Sequence, residues 1–367
     1  MLVYIIIFVT ALLYGLFELD GYKSKIKYNM SNDNIIEKIS FQKKIIVILF
    51  FLQLVFISIF RNVSVGNDIA NYIIHFNNIM PYYFSAVLFR NDPGYYLLNW
   101  IVGRFTTDFQ YVMAIVSLIF FSLVFYFFYR ESKIVWLSVV LFLAFGFLRF
   151  PFSGLRQGLA IAMIACSYKY IKNRNIWRFL GCVFGAALFH STAIVCIPMY
   201  FISNNKLNMF TYVKYILLAF VVIIIVNRVF LTYLAMLYRD GRYLDFIGAG
   251  DGGFNMFLVL MGIVFVGLFF NKSTLLNDKK NLAVYNIIIF SIILQLMAMN
   301  LSILARLVDY YTFFLTIFIP NIIHSMKNKD TRILSILLMV VFSCLMYARW
   351  LIADMSGMVP YSFVWNH

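Results

Sequence analysis

The chain has 367 residues, of which 63% are hydrophobic and 12% charged, and its formal net charge is +15. So apolar a composition excludes an ordinary soluble domain and is that of a polytopic membrane protein. The basic residues are spread over many short segments and form no single patch, which argues against a nucleic-acid-binding surface.

In chain order, the first apolar run is Met1–Phe17. No basic residue precedes it, so it reads as an uncleaved first span and not as a secretory signal peptide. The segment Glu18–Lys44 carries six lysines and is placed inside, because cytoplasmic loops hold an excess of Lys and Arg. Lys43–Phe60, Phe109–Tyr129, Tyr212–Phe230 and Asn255–Phe270 are runs of roughly 16 to 21 residues, the length that a ~30 Å hydrocarbon core requires. A closed barrel would instead display strands of ~10 residues with alternating polarity. Tyr95–Phe105 is too short to cross and is read as a re-entrant or interfacial helix on the outer side. The basic turns Arg130–Lys133, Lys169–Arg178, Lys206–Lys214, Lys272–Lys280 and Lys327–Arg332 all come out inside. Ser191–Ile202 has about 12 residues, so the pair of segments flanking His190 is either two crossings or a half-depth hairpin. Both termini then lie outside, which requires an even number of crossings. The expected fold is all-α, a single polytopic domain over residues 1–367 with about twelve transmembrane helices. The outer loops 61–108 and 228–253 are expected to contribute to a site.

This topology sorts the basic residues by type. All sixteen lysines fall on inner segments, while ten of the fourteen arginines fall outside: Arg61, Arg90, Arg104, Arg149, Arg156, Arg228, Arg239, Arg242, Arg306 and Arg349. Arginine presents a planar fork of donors that matches phosphate oxygens in pairs, whereas lysine is a hydrated point charge. An outer face carrying only arginine is expected to bind phosphate, although single arginines at such positions also serve as interface anchors.

The cysteines Cys166, Cys182, Cys196 and Cys344 sit in apolar runs without metal-ligand spacing. There is no HExxH, paired-cysteine, Walker or GxSxG motif, so neither a metal site nor a cofactor is expected. Gly248–Gly253 lacks the lysine and preceding strand of a phosphate loop. His75 falls on an amphipathic outer segment, and His190 alone among the histidines lies where an apolar helix stops at the outer face.

Five outer constellations remain. Arg61, the turn Val65-Gly66-Asn67-Asp68 and Tyr72 could hold a phosphate and a base together, or could be a capped helix start at Asp68. Asp92-Pro93-Gly94-Tyr95-Tyr96 opens the short helix and fits a proline turn as well as a site. Ser153-Gly154-Leu155-Arg156-Gln157 places an arginine and an amide at a helix N-terminus, where anions are favoured. Phe189-His190-Ser191 offers either a structural histidine or a proton acceptor. Arg306 and Asp309, three apart on one helix face, form either a neutralising ion pair or leave Arg306 for a ligand.

Taken in order, these residues resemble the EpsG family of Wzy-like bacterial polysaccharide polymerases. The likeness rests on Arg61 with Val65-Gly66-Asn67-Asp68 and Tyr72, on Asp92-Pro93-Gly94-Tyr95-Tyr96-Leu97-Leu98-Asn99, and on Arg156-Gln157 followed by Phe189-His190-Ser191, with support from Arg306 and its tyrosines. Asn67 stands where the family often has Thr, and Asp92 where it often has Glu. The region 207–280 matches no motif. The resemblance implies a glycosyltransferase on the outer face of the bacterial inner (cytoplasmic) membrane, joining oligosaccharide repeat units carried on undecaprenyl diphosphate. Its implied partners are these lipid-linked oligosaccharides, membrane lipid and a separate chain-length regulator. On this reading Arg156, with Arg61 or Arg306, holds the donor diphosphate and Gln157 orients an oxygen of it or a sugar hydroxyl. His190 or Asp68 serves as general base, and Tyr72, Asp92, Tyr95 and Arg242 are candidate substrate contacts. A lipid-linked oligosaccharide flippase, a polysaccharide ligase and a purely structural membrane subunit are the rival readings, the last leaving the repeated outer Arg, Asp and His placements unexplained. The flippase fits less well, because alternating access calls for polar groups near mid-depth.

Overall fold

The computed structural model describes residues 1–28, 33–204, 253–277, 279–299, 304–354 and 356–365, with single positions between 213 and 221. Among them all regular structure is helical, apart from one isolated antiparallel bridge between Arg61 and Phe363. The bundle is built around a short helix. α1 (Leu2–Tyr28) packs on α2 (Asp33–Ile59), α2 on α6 (Gln110–Glu131), and α6 on α8 (Leu155–Lys172), which in turn packs on α9 (Ile176–Phe189). α7 (Val135–Ala144) packs among α1, α2 and α6 and also meets α14 (Leu315–Ser325) and α15 (Lys329–Ala353). All ten residues of α7 are buried, which explains why its sequence, VWLSVVLFLA, has no polar face.

A helix so enclosed cannot satisfy its first N–H groups with water. Glu18 of α1 does so, accepting hydrogen bonds from the Val135 and Trp136 amides at 3.2 and 3.1 Å. Around it Lys43 donates to the Ser132 carbonyl at 2.8 Å, and Lys172 pairs with Glu131. The Asn321 side chain bonds the Glu131 carbonyl and the Lys133 amide. This end of the bundle is held by lysine and glutamate. The arginines Arg149, Arg156 and Arg306 gather at the opposite ends of α7, α8 and α13 (Ala305–Thr312).

At that second end the helices break. α7 stops at Gly146, whose φ of 71° is left-handed, and the chain passes through a 3-10 turn, Phe147–Arg149, before α8 begins. α9 stops at His190, followed by the 3-10 turn Ser191–Cys196 and α10 (Pro198–Ile202). Five helical stretches are long and apolar enough to cross a membrane: Phe41–Ile59, Gln110–Glu131, Asn281–Ala298, Ala305–Ser325 and Lys329–Ala353. Val135–Ala144, Ile176–Phe189 and Ser191–Ile202 are shorter apolar helical stretches, while the apolar stretches Leu2–Leu16 and Gly253–Val266 lie within longer helices. The chain is thus a helical membrane protein. About twelve crossings are expected from the sequence, and the described residues include these five helices of spanning length beside the shorter apolar stretches. α11 (Gly253–Asn277) and α12 (Lys279–Ala298) complete the described bundle, and α12 packs on α13. The run Tyr212–Phe230, apart from those single positions, and the loop residues 228–252 with Arg242 lie outside the described residues.

Between α2 and α6 lie α3 (Ile69–Ile79), α4 (Phe84–Leu88) and α5 (Pro93–Val102). α5 has ten residues, or about 15 Å, half of a hydrocarbon core. The C-terminal segment 356–365 returns to clamp the start of this region. Gly66 and Asn67 donate to the carbonyls of Gly357 and Ser356 at 2.8 and 2.9 Å, and Val364 donates to that of Phe60 at 2.8 Å. Gly66 has a φ of 116°, and a Cβ there would strike the Phe152 carbonyl. Gly66→Ala is expected to destabilise the protein by about 1–3 kcal/mol. A melting temperature in detergent equal to that of the wild type would contradict this.

Candidate functional site

A cavity of about 470 Å³ opens at the arginine-bearing end. Its walls come from the start of α3 (Asp68, Tyr72, His75), the loop after α7 (Arg149, Ser153), the first turn of α8 (Arg156, Gln157), His190, and α13 (Arg306, Asp309). Both breaks in the bundle therefore face the same space. Irregular backbone in a membrane protein is tolerated where it is enclosed in protein or lines a cavity, and here it does both.

Asp92 organises one side of the cavity from behind. It is the N-cap of α5, in the left-handed region at φ 60° and ψ 55°, directly before Pro93. Only 6% exposed, its carboxylate accepts from the Ser191 amide at 2.9 Å through Oδ1 and from Arg156 Nη1 at 2.9 Å through Oδ2. His190 Nδ1 lies 3.5 Å from the same Oδ2 but is too poorly aligned for a regular hydrogen bond, so this contact is mainly electrostatic. Burial pushes the Asp92 carboxyl upward, but the His190 ring, the Ser191 amide and the Arg156 guanidinium outweigh it and hold the group below the usual carboxylate range. With Nδ1 turned toward Asp92, the other ring nitrogen of His190 remains for a substrate proton. The carboxylate thus faces the ring without a regular hydrogen bond that fixes it.

The opposite wall is held by Arg149, whose Nη2 lies 2.6 Å from Asp309 Oδ2 while Nη1 donates to the Gly146 carbonyl at 3.1 Å. Gln157 Nε2 donates to the Arg306 carbonyl at 2.7 Å and to Asp309 Oδ2 at 3.4 Å, fastening α8 to α13. Asp309 is thereby committed to Arg149, and the i,i+3 pair with Arg306 does not form. Arg306 is exposed on the cavity with no ion pair among the described residues. Asp68 is equally uncommitted. It occupies the N-cap position of α3 without a side-chain capping bond, and its exposed carboxylate lines the cavity.

Several residues lie elsewhere than the sequence alone suggests. Arg61 does not reach the cavity. It is fully buried, with its guanidinium 4.5 Å from the Phe152 ring centre and without a hydrogen-bond partner among the described residues. Burial lowers its pKa to about 9, which still leaves it charged at neutral pH. Its position fits a cation–π support for the Phe152 loop and not a contact to a diphosphate. Tyr95 is also buried, packed on Tyr72 with ring centres 5.5 Å apart. Asp92 acts on Arg156 and His190 and not on the cavity itself. Gln157 lines the cavity, but its amide donors are used within the protein. Tyr72 does line it, under the Arg156 guanidinium at 5.6 Å. Arg149, one of the ten outer arginines but part of none of the five constellations, is the residue missed. Its spacing of seven from Arg156, with the helix start between them, was the available signal.

Fold and site together define a polytopic helical membrane protein with an arginine-rich cleft at one end of its bundle. The model of the EpsG family matches residues 44–363, most of the chain, and the protein belongs to that family. Membership associates it with polysaccharide polymerisation. No curated protein and no solved structure matches the chain.

Asp92→Asn keeps the shape of the carboxylate and removes its charge. In a double-mutant cycle with Arg156→Gln, the two changes are expected to couple by about 1–3 kcal/mol in thermal stability. Because the folded pKa of Asp92 is depressed, this stabilisation is complete at neutral pH and is lost only as the pH falls from about 4 through the lower folded value. Additive effects at pH 7 would mean that the ion pair does not hold the site together.

Proposed function

We propose that the protein is a glycosyltransferase that polymerises oligosaccharide repeat units carried on undecaprenyl diphosphate, at the outer face of the bacterial cytoplasmic membrane. In this reading the chain crosses the membrane twelve times as one domain, with its lysine end inside and its cavity outside. The observation that carries the reading is the convergence of Arg149, Arg156 and Arg306 on one cavity beside two proton-accepting groups, His190 and Asp68. Each guanidinium has five N–H donors, so Arg149 and Arg156 retain several after their internal ion pairs, and Arg306 retains all of its own.

The reaction then follows from these positions. The acceptor hydroxyl oxygen attacks the anomeric carbon of the donor sugar, the bond from that carbon to the diphosphate breaks, and undecaprenyl diphosphate leaves with the electron pair. Arg306, with the outward donors of Arg149 and Arg156, stabilises the charge that develops on the leaving group. Charge-assisted hydrogen bonds of this kind contribute roughly 1.5–3 kcal/mol each. The proton of the acceptor passes to His190, which lies beside Asp92, or to Asp68. The glycosyl diphosphate bond supplies the driving force, so no nucleotide site is required.

Arg306→Ala, Arg156→Ala and His190→Ala are each expected to reduce polymer at least ~10-fold at normal membrane levels, with single repeat units accumulating on the outer leaflet. Arg61→Met, which leaves the cavity wall in place, is expected to retain polymer. Inner-leaflet accumulation would instead indicate a flippase, and long unattached polymer a ligase.

A further inference from the structure

A second hollow adjoins the arginine cavity, and His75 lines both. It encloses about 730 Å³ and is bordered by Asn77, Asn78, Tyr82, Arg90 and Tyr96. α3 connects the two spaces. Its apolar residues Ile69, Tyr72, Phe76 and Ile79 are buried, while Asn71, His75 and Asn78, spaced four and three apart, are exposed on another face. That face covers about 10 Å of helix from the first cavity to the second. Nothing in the polymerase chemistry described above uses it.

The two hollows differ in their chemistry. The first gathers three arginines, whereas the second has one, Arg90, and no carboxylate. Arg90 lies over the Tyr82 ring at 5.1 Å, and the ring is 42% exposed. The backbone at Tyr82 is fixed, since its carbonyl accepts from Trp100 Nε1 at 2.9 Å and from Arg104 Nη2 at 3.3 Å. The Tyr96 hydroxyl reaches His75 Nδ1 at 3.5 Å. Side-chain amides, which both donate and accept, suit sugar hydroxyls. Tyrosine rings offer a flat apolar face to sugar C–H groups and a hydroxyl at the rim. An anionic diphosphate would favour the first hollow and a polyhydroxylated chain the second.

We propose that this second hollow is an oligosaccharide subsite, in which Asn77, Asn78, Tyr82 and Tyr96 hold the glycan of a lipid-linked substrate while its diphosphate lies in the arginine cavity. The proposal rests on the polymerase reading and assigns the sugar-binding part of that site. Contacts remote from the reacting atoms hold ground state and transition state alike, so their loss raises KM and leaves kcat little changed.

The test uses the full-length protein in lipid nanodiscs. The probe is the free repeat-unit oligosaccharide, released by mild acid from the lipid-linked pool of a strain lacking this chain. Binding is followed by saturation-transfer NMR, with the melting temperature of every variant measured alongside. The wild type and Arg156→Ala are expected to bind the free sugar within a factor of about two of each other, and Asn78→Ala/Tyr82→Ala at least ~10-fold more weakly. The same double variant is expected to raise KM for the lipid-linked unit ~10-fold with kcat within about twofold. Should that variant melt below the wild type, Asn77→Ala/Tyr96→Phe, at other points of the same wall, is used in its place. Wild-type affinity and KM in a folded variant, or no sugar binding by the wild type, would overturn the subsite. Undiminished polymer in Arg156→Ala would overturn the polymerase reading separately.

Discussion

A backbone N–H or C=O inside hydrocarbon has to be satisfied within the protein, and much of this architecture follows from that constraint. The central helix α7 can be short and almost wholly apolar because Glu18, from another helix, accepts from its first amides. At its other end the chain leaves the helical path at Gly146, and the exposed groups are taken up by 3-10 turns and by Arg149. The break after α9 is handled in the same way, with Asp92 receiving the Ser191 amide. Both irregular stretches sit where protein encloses them, and both line one cavity. The functional surface and the interruptions of the bundle are thus one feature.

The electrostatics of the cavity follow from the same arrangement. Three arginines would repel one another in an apolar setting, and the protein offsets two of them with Asp92 and Asp309 from separate helices. Each pair fixes a guanidinium in direction while leaving other donors outward. Arg306 has no such partner among the described residues and is the cation most available to an anion. Asp92 serves two groups at once, orienting Arg156 and facing His190, so the anion-binding and proton-accepting sides of the cleft are mechanically linked. The amphipathic α3 carries this geometry from the cavity with three arginines to the hollow beside it, which has one.

Much of this was legible from residue type and order. The apolar runs gave the class, among the described residues Lys43 and Lys172 lie at one end of the bundle and Arg149, Arg156 and Arg306 at the other, and the segments around Asp68, Asp92, Arg156, His190 and Arg306 do meet in space. The roles within that group were less legible. Asp309 lies one helical turn from Arg306 in sequence, yet it pairs with Arg149, 160 residues away, because the loop after α7 turns back over α13. Arg61 lies within a motif-like run but points into the packing behind Phe152.

What the sequence by itself determined, then, is the membrane class, the helical fold, the separation of lysine from arginine and the set of segments that build the cleft. These depend on composition and on charge near span ends, which are local properties of the chain. Tertiary structure alone decided which arginines face the cavity, that Asp92 and Gln157 act inside the protein, that Arg149 replaces Arg61 at the cleft, and that a second hollow adjoins it at His75. Those outcomes depend on which helix faces meet across the bundle, and no spacing along one strand of sequence encodes that.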